Sequence, residues 1–186
     1  CDAIVLRTFR LSAELINSAK KLQIISRHGV GHDNVDLDTI KKKNITLAIT
    51  ATTNAVAVAE HVFFMMLNIS KGHDMYDKCV KSGEFSKRSQ LPKTIELWNK
   101  KILIVGFGRI GQSLIKRCLG FEMEVFVYDP FIDENKINSL GGKKVSDINS
   151  MIKDMDYISV HTPLNEKTRN LINLNNMKTM KKTAIL

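Results

Sequence analysis

KILIVGFGRIGQSL, residues 101–114, runs from a bare apolar stretch through three glycines into a segment of helical periodicity. Gly106, Gly108 and Gly111 stand in GxGxxG spacing, which means little alone and much more between a strand and a helix. Gly106 permits a tight reversal, Gly108 lets the backbone come close to a pyrophosphate, and Gly111 lets the helix lie tight on the strand. The unpaired N–H groups and positive end of that helix then face the phosphates. The next apolar run, EVFVYD, ends on Asp129, 18 residues past Gly111. A carboxylate there accepts both hydroxyls of an adenosine ribose and repels a 2′-phosphate, so NAD is the expected cofactor. The plainer role for Asp129 is a strand-end turn before Pro130. The whole strand–glycine–helix–strand–acid unit favours dinucleotide binding.

Outward from this unit, short runs rich in Val, Ile and Leu alternate with helical stretches. AIVL (3–6), LQIIS (22–26), ITLAI (45–49), KILIVG (101–106), EVFVYD (124–129), YISVH (157–161) and TAIL (183–186) predict strands. They lack strict polar alternation, as expected of strands covered on both faces. Helices are expected over SAELINSAKK, NAVAVAEHVFFMMLNIS, RIGQSLIKRCLG, SDINSMIKD and LNNMKTMKK. The alternation predicts an α/β fold with parallel, doubly wound Rossmann-type sheets. The helix over 54–70 begins at Asn54 in N-cap position and carries Val58, Val62, Met65, Met66 and Ile69 on one stripe, read as packing surface. KSGEFSKRSQLPKTIELWNKK (81–101) reads as a polar connecting arm. No repeat or low-complexity segment interrupts the chain.

The 186 residues carry a net charge of +9 with 6% aromatics. The lysines fall in scattered pairs without interleaved aromatics, which argues for a solvated basic surface and against nucleic acid. No apolar run is long enough to span a bilayer. Cys1, Cys79 and Cys118 form no CxxC pair and suggest reduced thiols in a cytoplasmic protein. His28 and His32 lie in a glycine loop without a third ligand, so no metal site is expected. DNVDLD (33–38) lacks the glycine and terminal glutamate of a calcium loop and reads as helix capping. Glu60 and His61 point different ways on a helix and form no acid–base pair.

SRHGVGHDNVDL (26–37), TNAVAVAEHVFFMML (53–67) and DYISVHTPLNEKTRNLI (156–172), in this order around the glycine turn, resemble the D-isomer-specific 2-hydroxyacid dehydrogenases. The resemblance covers essentially the whole chain. It implies part of a flavodoxin-like substrate-binding domain over residues 1–53 and a partial dinucleotide-binding domain over 54–186. It also implies a homodimer built on the 54–70 helix and the arm through Trp98. Carried over residue by residue, Gly29 and Val30 belong to a loop that folds over the substrate carboxylate and the nicotinamide. Converging backbone N–H groups give that role a physical basis. Asn54 matches a substrate-contacting asparagine, Arg109 and Ile110 match pyrophosphate contacts, and Thr162 matches a cofactor contact at a strand's end. His161 is expected to support that strand end.

The resemblance places an arginine, a glutamate and a general-acid histidine beyond Leu186, so no catalytic residue is assigned within the sequence. Cys1 in place of methionine, and the opening of a strand at TAIL, suggest that both ends are cut, which predicts an inactive fragment of an NAD-dependent dehydrogenase. The expected substrate is 3-phosphoglycerate or 3-phosphohydroxypyruvate, as in serine biosynthesis. Arg7 and Arg27 follow neighbouring strands and bring positive charge to one sheet edge, where guanidinium groups suit phosphate and carboxylate. A hydroxypyruvate, glyoxylate or D-lactate substrate is the alternative. A non-catalytic NAD-binding sensor or corepressor on the same scaffold is the alternative of another class.

Overall fold

The structure, a computed structural model, describes residues 1–50 and 53–186. It divides into two compact units, Cys1–Asn54 and Ala55–Leu186.

The first unit runs β1 (Ala3–Leu6), α1 (Ala13–Ser18), β2 (Ile24–Arg27), α2 (Leu37–Lys42) and β3 (Thr46–Ile49). The strands pair in parallel in the order β1-β2-β3. Ser12 caps α1 by accepting from Leu15 N, and Asp36 caps α2 by accepting from Thr39 N at 2.9 Å. That backbone donor holds the Asp36 carboxyl below its ordinary range. Leu6, Leu11, Ile16, Leu22, Ile25, Val35, Ile40 and Ile45 form the core. Among the described residues only one face of this sheet is covered: Val5 is 83% exposed while Ile25 is fully buried. The expectation of strands buried on both faces is therefore corrected here. Strands added in one direction by right-handed crossovers put both connecting helices on the same face.

The second unit opens with α3 (Ala55–Lys71), α4 (His73–Lys81) and a 3-10 turn (Phe85–Gln90). It continues through β4 (Lys101–Val105), α5 (Arg109–Gly120), β5 (Glu124–Tyr128), α6 (Glu134–Ser139), β6 (Lys143–Lys144) and α7 (Ile148–Met151) to β7 (Tyr157–Val160) and α8 (Leu174–Thr179). All four strands are parallel, in the order β6-β5-β4-β7. The chain thus builds outward from β4 in one direction and then returns to its other side. This doubly wound order places helices on both faces, and β4 is covered twice over. Ile102 and Ile104 join the layer with Phe63, Leu114 and Ile115, whereas Leu103 and Val105 join Ile148, Ile152 and Met155. Cys118 lies in the first layer, and burial pushes its thiol up to about 12, leaving it unreactive at neutral pH.

Three details depart from the sequence reading. The buried stripe of α3 is Ala59, Phe63, Met66 and Ser70, while Met65 and Ile69 are 43% and 55% exposed. Glu60, His61, Asn68 and Lys71 hold one side of the helix, and the apolar side is too wide for its period to single out the buried stripe. Ser70 lies on that stripe, and its hydroxyl, 2.6 Å from both Met66 O and the Tyr157 hydroxyl, is thereby satisfied in the interior. The arm is less a linker than a packed strap. Tyr76 donates to Pro92 O, Ile95 N donates to Ser70 O, and Leu97 is buried. Lastly, TAIL supplies a single paired residue, Ile185 beside Tyr157, in place of a strand. The polar α4, the short α6 and the two-residue β6 are elements that the hydrophobic pattern does not announce.

At the start of β4 and β7, Asp156 accepts from Lys101 N and from Lys181 Nζ, both at 2.8 Å. Burial raises its pKa, but these donors outweigh it and the net shift is downward. Asp156→Asn is expected to cost about 1–2 kcal/mol near neutral pH, a charge-assisted bond discounted for partial exposure. A depressed carboxylate stabilises above its unfolded pKa and loses that effect as pH falls through the folded value. Denaturant titrations of the two proteins should therefore converge only below about pH 4. A gap independent of pH would contradict this.

Candidate functional site

The glycine turn sits where β4 meets α5, at the point where the sheet order reverses. Gly106 has φ +96°, and a Cβ there would lie 2.8 Å from the His161 carbonyl. Gly111 is equally constrained, since its Cβ would fall 2.5 Å from Gly106 O. Gly108 differs: it caps α5 in extended conformation, and a Cβ on it would project into open space. Two of the glycines thus allow backbone to touch backbone, and the third leaves the helix start unobstructed. The first helical bond runs from Gln112 N to Gly108 O, so the turn before it presents donors with no intrahelical acceptor. Arg109 and Ile110 are the first two residues of that helix.

Asp129 follows β5 and faces this turn. Its Oδ2 accepts from Phe107 N at 2.7 Å and its Oδ1 accepts from Phe131 N at 2.9 Å. The carboxylate therefore ties the second strand's end to the middle of the glycine turn. Two backbone donors leave it free acceptor capacity, since an ionised carboxylate offers about four lone-pair sites. A pair of ribose hydroxyls fits that capacity. Across the turn, His161 N donates to Val105 O at 2.7 Å and Thr162 is half-buried against Gly106. The His161 ring lies 2.9 Å from Ser159 Oγ, and burial lowers its pKa, keeping it neutral near pH 7. Gly106, Gly108, Arg109, Ile110, Gly111, Asp129 and Thr162 thus meet at one end of this sheet. The open helix start and the spare carboxylate acceptors suit a dinucleotide with an unphosphorylated ribose.

The first unit holds the other expected residues. Arg7 follows β1 and is exposed; Arg27 ends β2 beside it. Both lie at the carboxyl edge of the sheet, as their places in the sequence imply, but their guanidinium groups do different things. The Arg27 group folds back over its own loop, donating from Nη1 to His28 O at 3.0 Å. Gly29 has φ +144°, and Val30 is exposed. Asn54 is exposed immediately before α3. The Phe107–Asp129 bond and the folded-back Arg27 were not visible in the sequence. The acid at the strand end gave a signal for the first, and nothing local signals the second.

Residues 63–186 match the family described as D-isomer specific 2-hydroxyacid dehydrogenase, NAD binding domain. Over 186 residues the chain is 35% identical to D-3-phosphoglycerate dehydrogenase of Methanocaldococcus jannaschii, covering all of this chain and 35% of that protein. It is 34% identical over the same length to hydroxypyruvate reductase of Thermotoga maritima, of which it covers 59%. The chain therefore spans between about a third and three fifths of these relatives. D-lactate dehydrogenase from Aquifex aeolicus, solved with NAD and lactic acid, superposes with a TM-score of 0.91 at 29% identity, over 100% of this chain and 55% of that one.

Two substitutions separate binding from scaffolding in this site. Gly108→Ala meets no atom and should change stability by less than about 1 kcal/mol while weakening NAD severalfold or more. Asp129→Ala removes an acceptor from the Phe107 and Phe131 N–H groups. It should lower stability without cofactor by about 1–3 kcal/mol and weaken NAD as well. Thermal melts with and without NAD measure both effects; an Asp129→Ala chain as stable as the parent contradicts the link.

Proposed function

This chain belongs to the D-isomer-specific 2-hydroxyacid dehydrogenase family, and on that premise we propose that its protein oxidises a D-2-hydroxy acid, or reduces the 2-keto acid, with NAD. In this reading residues 54–186 bind the dinucleotide and residues 1–53 contribute to substrate binding. NAD, when bound, supplies the hydride acceptor. The chain's own part is to hold and orient. The α5 start and the Gly108–Ile110 backbone take the pyrophosphate, Asp129 takes the ribose, and Thr162 borders the cofactor at the end of β7. Gly29 and Val30 take the substrate carboxylate, and Asn54 assists. The observation that carries the reading is the Asp129 carboxylate bonded into the glycine turn with acceptor capacity left over. NAD should bind at least tenfold more tightly than NADP, because a 2′-phosphate beside Asp129 is repelled. Equal affinities in a calorimetric titration overturn it.

For the substrate we favour 3-phosphoglycerate and its keto form. The support is Arg7, exposed at the carboxyl edge of the sheet, where a second anionic group needs a cation. Likeness to hydroxypyruvate reductase at 34% identity supports the unphosphorylated acid as the second reading. Arg7→Ala in the whole protein should lower kcat/KM for 3-phosphohydroxypyruvate by about five- to a hundredfold, the range of about 1–3 kcal/mol for a charged hydrogen bond. Hydroxypyruvate turnover should scarcely change. Equal losses on both substrates would favour the second reading.

The protein is proposed to act as a homodimer. Val56 and Phe64 on α3 and Trp98 in the strap are each more than half exposed, and exposed apolar side chains of this size support an interface. Phe64→Glu should shift the sedimentation coefficient from dimer to monomer at micromolar concentration. A parent protein already monomeric there refutes the assignment.

A further inference from the structure

The loop after β2 is held mainly from its carbonyl side. His28 O accepts from Arg27 Nη1 at 3.0 Å, Gly29 O from Thr50 N at 3.2 Å, and Val30 O lies 3.4 Å from His32 Nδ1. His28 N is engaged as well, donating to Leu6 O at 2.7 Å. By contrast, the N–H groups of Gly29, Val30 and Gly31 meet no backbone acceptor among the described residues. Three successive donors that meet no backbone acceptor among the described residues, beside carbonyls that are engaged elsewhere, are available to an anion. Arg27 has the closest hold on this arrangement. Its guanidinium lies over Gly29 so closely that a Cβ there would fall 1.2 Å from Nη1. Its Nε–H is buried and has no partner among the described residues, a cost that a side chain free to swing into water would avoid.

We propose that Arg27 is a positioning residue: it clamps the 28–31 loop so that the loop's own N–H groups, and not the guanidinium, bind the substrate carboxylate. This deepens the proposed function and rests on its assignment of the loop to a carboxylate. It reassigns Arg27 from a substrate ligand to a group that acts through the backbone. It also gives Gly29 a reason besides its positive φ, because the guanidinium occupies the space of a side chain.

The test follows the amides of the 15N-labelled chain during titration with pyruvate, a plain 2-oxo carboxylate, at constant ionic strength. In the unmodified chain the Gly29, Val30 and Gly31 amides should move while the Arg27 Nε–H resonance stays in place. Arg27→Lys keeps the charge but loses the planar fork. It should weaken pyruvate about as much as Arg27→Met does, by roughly fivefold to tenfold, the worth of a hydrogen bond. Gly29→Ala should act like Arg27→Met, and the double variant should be little worse than either, since both release the same clamp. If the amides of the unmodified chain do not move, the assignment of the loop to a carboxylate fails, and this proposal with it. If they move but Arg27→Lys binds as the parent does, or the Nε–H resonance shifts with pyruvate, Arg27 is a direct ligand and the positioning role alone is overturned. The Nε–H observation needs no variant, so it decides even where a substitution unfolds the unit.

Discussion

Three backbones meet at the switch point of the larger sheet with no room for a methyl group between them. Gly111 of α5 lies against the Gly106 carbonyl, and Gly106 lies against the carbonyl of His161. A side chain at either glycine would drive helix from turn or turn from strand, and overpacking of that kind costs about 1–3 kcal/mol. Because the helix sits so low on the sheet, its first turn opens directly over the end of β4. The position of the dinucleotide site is thus a consequence of packing before it is one of recognition.

Asp129 adds a polar tie to this steric one. A bond between its carboxylate and Phe107 N joins the ends of β4 and β5 across the turn that must keep its shape. One side chain therefore organises the site and, in our reading, recognises part of the ligand. Substitutions that broaden cofactor choice at Asp129 carry a structural cost for that reason. The opposite end of the sheet shows a parallel arrangement, in which Asp156 joins Lys101 of β4 to Lys181 near α8. Carboxylates placed at both ends of a buried parallel sheet accept from backbone N–H groups that the ladder leaves over.

The two anion sites proposed here rely on the same chemistry. In both, backbone N–H groups have no acceptor within their own helix or loop among the described residues, by a local geometry that glycine permits. They differ in what holds that geometry. The second unit uses the packing of helix on turn, whereas the first uses hydrogen bonds to the loop's carbonyls, with an arginine among the donors.

Much of this was legible in the sequence because it depends on neighbours along the chain. GxGxxG between an apolar run and a helical stretch, followed by Asp129, specifies the turn, the helix start and the acid, since each requirement is local. The alternation of strand and helix likewise predicts parallel, doubly wound sheets, although neither the two-residue β6 nor the order β6-β5-β4-β7 could be read from it. What depended on partners distant in sequence was decided by the tertiary structure alone. The stripe that α3 buries, with Ser70 bonded to Tyr157, 87 residues away, was decided by what packs against it, because a wide apolar side does not single out one stripe by its period. Arg27 shows the same limit at short range. Its place at a strand end predicts a cation at the sheet edge, but the direction of a long side chain is settled by which acceptors folding brings near it.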